Sequence, residues 1–301
     1  MKLERGDVAV VTGAASGIGF GLAEAFAKKG LHVVAADVEA GALDDAVTRL
    51  GAHGGEVLGV PTDVSREAAV EALAAATLER FGGVHVVCNN AGVVVKTDAW
   101  TGPISGWEWI LGVNLWGVIH GVRAFLPHLV AGGRGHIVNT ASIAGLIPGL
   151  DAMYDATKHA LVALTENLYQ ATQDAGLPIG VSVLCPGWVR SNLVDAERNW
   201  PSERGAVPDA AVALRVIEPH LRRAISEGMT PAAVAEVVVT GIEADRYWLL
   251  THKDWMPMLV RRWDSITEGV NPQAIEELPD MPARSQLIEE TINAMIAEAE
   301  G

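Results

Sequence analysis

Between residues 8 and 185 the chain repeats one pattern: a short apolar run, then a longer segment whose apolar residues recur with helical period. Runs this short, bounded by glycine and polar residues, read as buried strands. They are VAVVT (8–12), HVVAAD (32–37), VLGVPTD (57–63), VHVVCN (84–89), HIVNTA (136–141) and GVSVLC (180–185). The spacing predicts helices over 17–29, 39–50, 65–81, 106–131 and 154–175, with Ser65 as one N-cap and Gly30 as one C-terminal stop. Strands joined through helices pair in parallel, so the pattern predicts repeated βαβ units.

After residue 190 the pattern loosens. Residues 191–228 mix apolar, charged, Pro and Gly residues. A helix is expected from Pro231 with Thr230 as its cap, then a seventh strand RYWLLT (246–251), a Trp-containing helical segment over 254–268, a Pro-bearing linker and a final helix. Leu287, Ile288, Thr291, Ile292, Met295 and Ile296 form one stripe on that last helix. A lid, a tail on the same body or a subunit contact would each suit this third of the chain.

Composition narrows the partners. With 22 basic against 37 acidic side chains the net charge is −15, which repels nucleic acid and anionic lipid. Uninterrupted apolar runs fall short of the eighteen or so residues that span a bilayer, and MKLERGDVAVV lacks the features of a signal peptide, so the expected location is the cytoplasm. Cys88 and Cys185 lie in strand-like segments and read as reduced core residues; no Cys/His cluster has metal-ligand spacing.

Chemistry enters with VAVVTGAASGIGFGLAEAF, which sets Gly13, Gly17 and Gly19 between the first strand and the first helix. A turn that receives a pyrophosphate needs glycine for its φ angles and for the absence of a Cβ, and the helix start adds free N–H groups. The spacing is G-x-x-x-G-x-G. Asp37 ends the second strand, where a carboxylate can accept hydrogen bonds from an adenosine ribose. Val38 and Glu39 bring no cation and Ser16 offers only a hydroxyl, so a 2′-phosphate would meet like charge with no Arg or Lys to neutralise it. NAD is expected over NADP. Further along, Tyr154 and Lys158 stand four apart in MYDATKHAL, one helical turn on one face. A phenol is a poor base near neutral pH, and a neighbouring ammonium favours its phenolate.

TGAASGIG, NNAG (89–92), Asn114 in GVNLWG, Ser142 in NTASIAG, YDATK and PGWVRSN (186–192) together resemble the short-chain dehydrogenase/reductase family over about residues 7–192, in the family's order. The resemblance implies a doubly wound α/β Rossmann fold with a seven-stranded parallel sheet, in a single domain over 1–301. Its cofactor-binding part would be 1–150, its catalytic and substrate-binding part 151–252 and its helical extension 253–301. A homodimer or homotetramer is implied. Carried over residue by residue, Tyr154 moves the proton and Lys158 tunes it and grips the nicotinamide ribose. Ser142 hydrogen-bonds the substrate oxygen, and Asn114 helps hold a water linked to Lys158. Gly13, Ser16, Gly17, Ile18 and Gly19 form the phosphate loop, Asp63 and Val64 flank the adenine, and Asn90 and Gly92 belong to the loop after the fourth strand. Pro186, Gly187, Val189 and Ser191 line the nicotinamide, with Ser191 where the family often has threonine. The THKDW segment resembles the branch that oxidises benzylic alcohols of lignin-type aryl ethers.

All nine tryptophans lie at residue 100 or later, outside the first third. Indoles around a substrate mouth suit a bulky apolar or aromatic alcohol, and Trp188 and Trp200 are the expected pocket residues. The leading expectation is therefore an NAD-dependent oxidoreductase of a secondary alcohol or its ketone. A catalytically silent dinucleotide-binding regulator is the alternative, followed by an epimerase or dehydratase that retains its cofactor.

Overall fold

A strand covered on both faces cannot alternate polar with apolar residues. Strand β1 (Val8–Thr12) shows the consequence, with all five residues buried. Ala9 and Val11 join one core layer with Leu22 and Phe26, while Val8 and Val10 join the opposite one with Leu73, Phe125 and Leu129. The computed structural model describes residues 1–149 and 151–300. Strands β1, β2 (His32–Asp37), β3 (Val57–Pro61), β4 (Val86–Asn89), β5 (Gly135–Thr140), β6 (Ile179–Cys185) and β7 (Trp248–Leu250) form one seven-stranded parallel sheet in the order β3-β2-β1-β4-β5-β6-β7. The order reverses between β1 and β4, which leaves a crevice at the carboxyl ends of those strands.

Helices α1 (Gly17–Lys28), α2 (Ala40–Gly51), α3 (Glu67–Phe81), α4 (Ile104–Leu111), α5 (Gly117–Ala131), α6 (Ala152–Asp174), α7 (Val212–Glu227), α8 (Pro231–Glu243), α9 (Met256–Glu268) and α10 (Arg284–Glu300) surround the sheet. Helix α8 packs along α1, where Gly21 lets the two approach: a Cβ there would meet Pro231 at 2.7 Å. Two expected termini hold. Gly30 takes φ +85° just past α1, and Thr230 Oγ1 accepts from Ala233 N at 3.2 Å.

Three expectations need correction. Ser65 does not cap α3: its hydroxyl turns back to Asp63 Oδ1 at 2.6 Å, and the helix starts two residues later. The helix expected over 106–131 starts at Ile104 and is broken by a π turn over Gly112–Trp116, which centres on the buried Asn114. π turns of this kind collect at functional sites. Taken whole, Ile104–Ala131 is long and apolar enough by length and composition to cross a membrane, although polar residues punctuate its apolar runs; here α5 packs on α3 and the sheet. Residues 191–228 contain a sixteen-residue helix, α7, hidden by Pro219 within it. Of the placements left open for the last helix, α10 lies along α7 with Ile288, Ile292, Met295 and Ile296 of its stripe exposed.

Candidate active site

One cavity of about 350 Å³ runs along the carboxyl ends of the strands. At its cofactor end Gly13 and Gly17 take φ +66° and +53°, in the region that favours glycine. A Cβ on Gly13 would lie 3.0 Å from Ala91 Cα. Ser16 precedes α1 without a side-chain cap, so the N–H groups at the start of α1 are not taken by a side chain beside a cavity that Ser16, Gly17 and Ile18 line. These are the features a pyrophosphate requires, and the residues present fit a dinucleotide. Gly19 does not line the cavity. It is buried, and a Cβ there would stand 2.6 Å from the Gly13 carbonyl carbon and 2.7 Å from Asn90 Nδ2, so its task is to let helix and loop close on each other.

Asp37, Asp63, Val64, Asn90 and Gly92 all line the cavity, as expected. Asp37 is held by two backbone donors, Ala15 N at 3.0 Å and Glu39 N at 3.1 Å, which tie the end of β2 to the glycine loop. Asn90 spans three strand ends: its Nδ2 donates to Thr12 O at 3.0 Å, its Oδ1 accepts from Thr140 Oγ1 at 3.2 Å, and its N–H donates to Thr12 Oγ1 at 2.9 Å. Val38 and Glu39 bring no cation, as expected, but one reaches Glu39 from far along the chain. Arg198 lines the same cavity and reaches Glu39 Oε1 at 2.7 Å across 159 residues of sequence. Residues this far apart carry no sequence signal of their proximity.

Ser142, Tyr154 and Lys158 share one wall. Ser142 follows β5, its hydroxyl accepting from Ala144 N at 3.1 Å and facing Pro186 O at 3.4 Å. Tyr154 and Lys158 sit on the first turns of α6, which begins at Ala152 because Asp151 Oδ1 accepts from Met153 N and Tyr154 N at 2.9 and 3.1 Å. Lys158 Nζ donates to Thr140 O at 3.0 Å and stands 5.4 Å from the centroid of the Tyr154 ring. Asn114 stands behind the cavity wall, Oδ1 accepting from Val93 N at 2.8 Å and Nδ2 donating to Val93 O and Thr157 Oγ1. Gly92 borders both, with its would-be Cβ in ordinary contact with Asn114 Oδ1 at 3.5 Å and Lys158 Nζ at 3.6 Å.

Burial pushes the Tyr154 phenol well above its ordinary 10; the Ser142 hydrogen bond pulls it down, and Asp155 and Asp151 push it up again. Burial thus dominates the phenol as long as no cationic nicotinamide ring stands beside it. Burial in turn lowers the Lys158 ammonium to about 8 from 10.5. Cys88 and Cys185 are buried free thiols, with burial pushing Cys185 up to about 12.

Pro186, Gly187, Val189 and Ser191 line the junction between the two ends of the cavity. Gly187 N donates to His252 Nδ1 at 3.1 Å, and a Cβ on Gly187 would meet that ring at 2.9 Å. The substrate end is walled by Trp109, Trp188, Trp255, Ile147, Leu221 and Leu278. Trp188 stands where expected, edge-on to Trp255 at 5.4 Å and donating from Nε1 to Pro279 O at 2.8 Å. Trp200 does not line the cavity; it backs onto Trp109 at 5.1 Å while its Nε1 donates to Gly205 O. Ile275 and Leu278, from the linker before α10, complete the wall, and sequence reasoning assigned them no site role because their loop has no periodicity. Lys96 is the other cation there, held between Glu197 and Glu218 at 3.3 Å each.

A family model described as short chain dehydrogenase matches residues 7–202. A 1-deoxy-11-beta-hydroxypentalenate dehydrogenase of Streptomyces avermitilis is 39% identical over 250 residues, covering 82% of this chain and 84% of its own. A C alpha-dehydrogenase of a Sphingobium species is 32% identical over 284 residues, covering 90% and 89%. Among solved structures, a short chain dehydrogenase/reductase from Burkholderia phymatum in complex with NAD superposes with a TM-score of 0.89 at 41% identity, over 92% of this chain and 100% of that one.

Proposed function

Since the chain belongs to the short-chain dehydrogenase/reductase family and is an oxidoreductase acting on CH–OH groups, we propose that it prefers NAD to NADP and acts on a bulky, apolar or aromatic secondary alcohol or the matching ketone. The observation that carries this reading is the continuity of one cavity, from Gly13 and Asp37 at one end, past Ser142, Tyr154 and Lys158, to Trp188, Trp255 and Leu278 at the other. When bound, the nicotinamide supplies or accepts the hydride and in its oxidised form brings a positive charge beside the phenol.

Tyr154 then takes the proton of the alcohol in oxidation and returns one in reduction. Ser142, whose hydroxyl shares the cavity wall with Tyr154, steadies the charge that develops on the substrate oxygen. Lys158 adds a cation whose position Thr140 O fixes, and Asn114 keeps the loop of Val93 in register with α6 through Thr157. Asp37 supports the NAD preference: both its oxygens are anchored and face a ribose better than a phosphate. The apolar walls exclude water and favour a ring system over a sugar. The relatives named for a hydroxypentalenate and for C alpha dehydrogenation accord with an alcohol substrate.

A homodimer or homotetramer is part of the same reading. Ile104 and Trp116 on the α4–α5 face and Trp248 on the edge strand β7 are exposed, as surfaces awaiting a second copy are. The two buried free thiols suit a reducing cytoplasm.

The deciding experiment follows NADH formation over a panel of aryl, alicyclic and short hydroxy-acid alcohols. Turnover is expected with the ring-bearing alcohols. Tight NAD binding with no turnover on any of them would favour the silent regulator, and preference for short hydroxy acids would remove the bulky-substrate reading.

A further inference from the structure

We infer that Glu39 acts as a second selector against NADP by holding Arg198, and this rests on the NAD preference proposed above. Among the described residues the cavity is lined by three cations, Lys96, Lys158 and Arg198. Lys158 is turned to Thr140 O beneath the tyrosine, and Lys96 lies between two carboxylates at the substrate end. Arg198 alone stands at the adenosine end, beside a residue two positions from Asp37. A guanidinium is the side chain best matched to a phosphate, which it can grip with two parallel N–H groups. An arginine in that place should welcome a 2′-phosphate.

The hydrogen bonds explain why it does not. Arg198 Nε and Nη2 both donate to Glu39 Oε1, at 3.1 and 2.7 Å, and Asn199 Nδ2 donates to the same oxygen at 3.0 Å. Arg198 Nη1 donates to Asn192 O at 3.0 Å and to Asp195 O at 2.8 Å. Four of the five guanidinium N–H groups are thus spent inside the protein. The Arg198 hydrogen bond in turn holds the Glu39 carboxyl below its ordinary value, so Glu39 stays ionised near neutral pH. A 2′-phosphate would have to displace one carboxylate while approaching another, Asp37. A ribose hydroxyl asks for neither.

Glu39 is therefore a specificity residue acting through Arg198. The same bond clasps the segment after β6 onto the start of α2, so two parts of the chain far apart in sequence close over the adenosine end together.

Steady-state kinetics with NAD and NADP on Glu39→Ala, Arg198→Ala, the double variant and Asp37→Ala test the proposal. Glu39→Ala should raise the NADP-to-NAD ratio of kcat/KM by about tenfold, the effect of one freed charge-assisted grip, through KM for NADP. The gain should shrink with added salt and vanish in the double variant. An unchanged ratio in Glu39→Ala, or a gain that survives loss of Arg198, overturns the inference. If Asp37→Ala narrows the ratio and Glu39→Ala does not, the NAD reading stands and this inference falls; a wild-type enzyme indifferent between the two cofactors sinks both.

Discussion

The two ends of the cavity are built in opposite ways. The cofactor end comes mainly from loops at the ends of β1, β2, β3 and β4, all within the first 92 residues, and carries three carboxylates, Asp37, Glu39 and Asp63. The substrate end is assembled from the segment after β4 with Trp109 of α4, the segment after β5, the segment after β6, α7, Trp255 and the linker before α10, and it is largely apolar. Backbone geometry does the work at the first end, where a cofactor of constant shape must fit. Side-chain volume does it at the second, and volume can change without disturbing the sheet. The Arg198–Glu39 clasp is where they meet, since a residue from the later half of the chain completes the earlier one.

Breaking each end separately should give effects of different kind as well as size. The largest falls between them: Tyr154→Phe removes the proton carrier and should lower kcat by about 10³-fold, within the range of general acid–base catalysis. Cofactor affinity by fluorescence titration should hardly move; retention of more than a tenth of the activity would refute the assignment. At the cofactor end, Gly19→Ala forces a methyl against the Gly13 carbonyl. That overpacking should cost about 3 kcal/mol in denaturant unfolding and weaken NAD binding.

The sheet beneath both ends gives the next effect. His136 on β5 is buried with Nε2 on Ser182 Oγ at 2.7 Å and Nδ1 without a partner. Burial lowers it to about 3 from an ordinary 6.5. Between those values the unfolded chain binds more protons than the folded one, so the stability His136 contributes is complete above pH 6.5 and is lost as pH falls toward 3. Unfolding at pH 5 should show a loss of about 2 kcal/mol relative to pH 7 from this group, absent in a folded His136→Gln protein. An identical slope in that variant would acquit the histidine. The smallest effect belongs to the substrate end: Leu278→Ala should raise KM for a bulky alcohol by about tenfold, with kcat and cofactor KM unchanged. A change in cofactor KM instead would show that the two ends are not separable.

Legibility follows the same division. The glycine loop, Asp37, Tyr154 and Lys158 could be read from the chain because backbone turns and the helical four-residue step are local, and local geometry leaves fixed spacings; Asn90 and Ser142 were legible only through the family resemblance. Helix α7 was missed because Pro219 interrupts the pattern that would announce it. Asp151 was overlooked as the cap that aims Tyr154, one residue among several possible starts for α6. Trp200, expected in the cavity wall, stands behind Trp109 instead, since indoles carry no mark of which faces a cavity and which backs it.

What the amino-acid order decided alone is the alternation of strands and helices, the phosphate loop and the Tyr154–Lys158 pair, because each depends on residues within a few positions of one another. What only the folded chain decided is the substrate wall, the raised phenol of Tyr154 and the pairing of Arg198 with Glu39. Those depend on burial and on distances between segments 100 residues or more apart, and both exist only once the sheet has brought its strand ends to one edge.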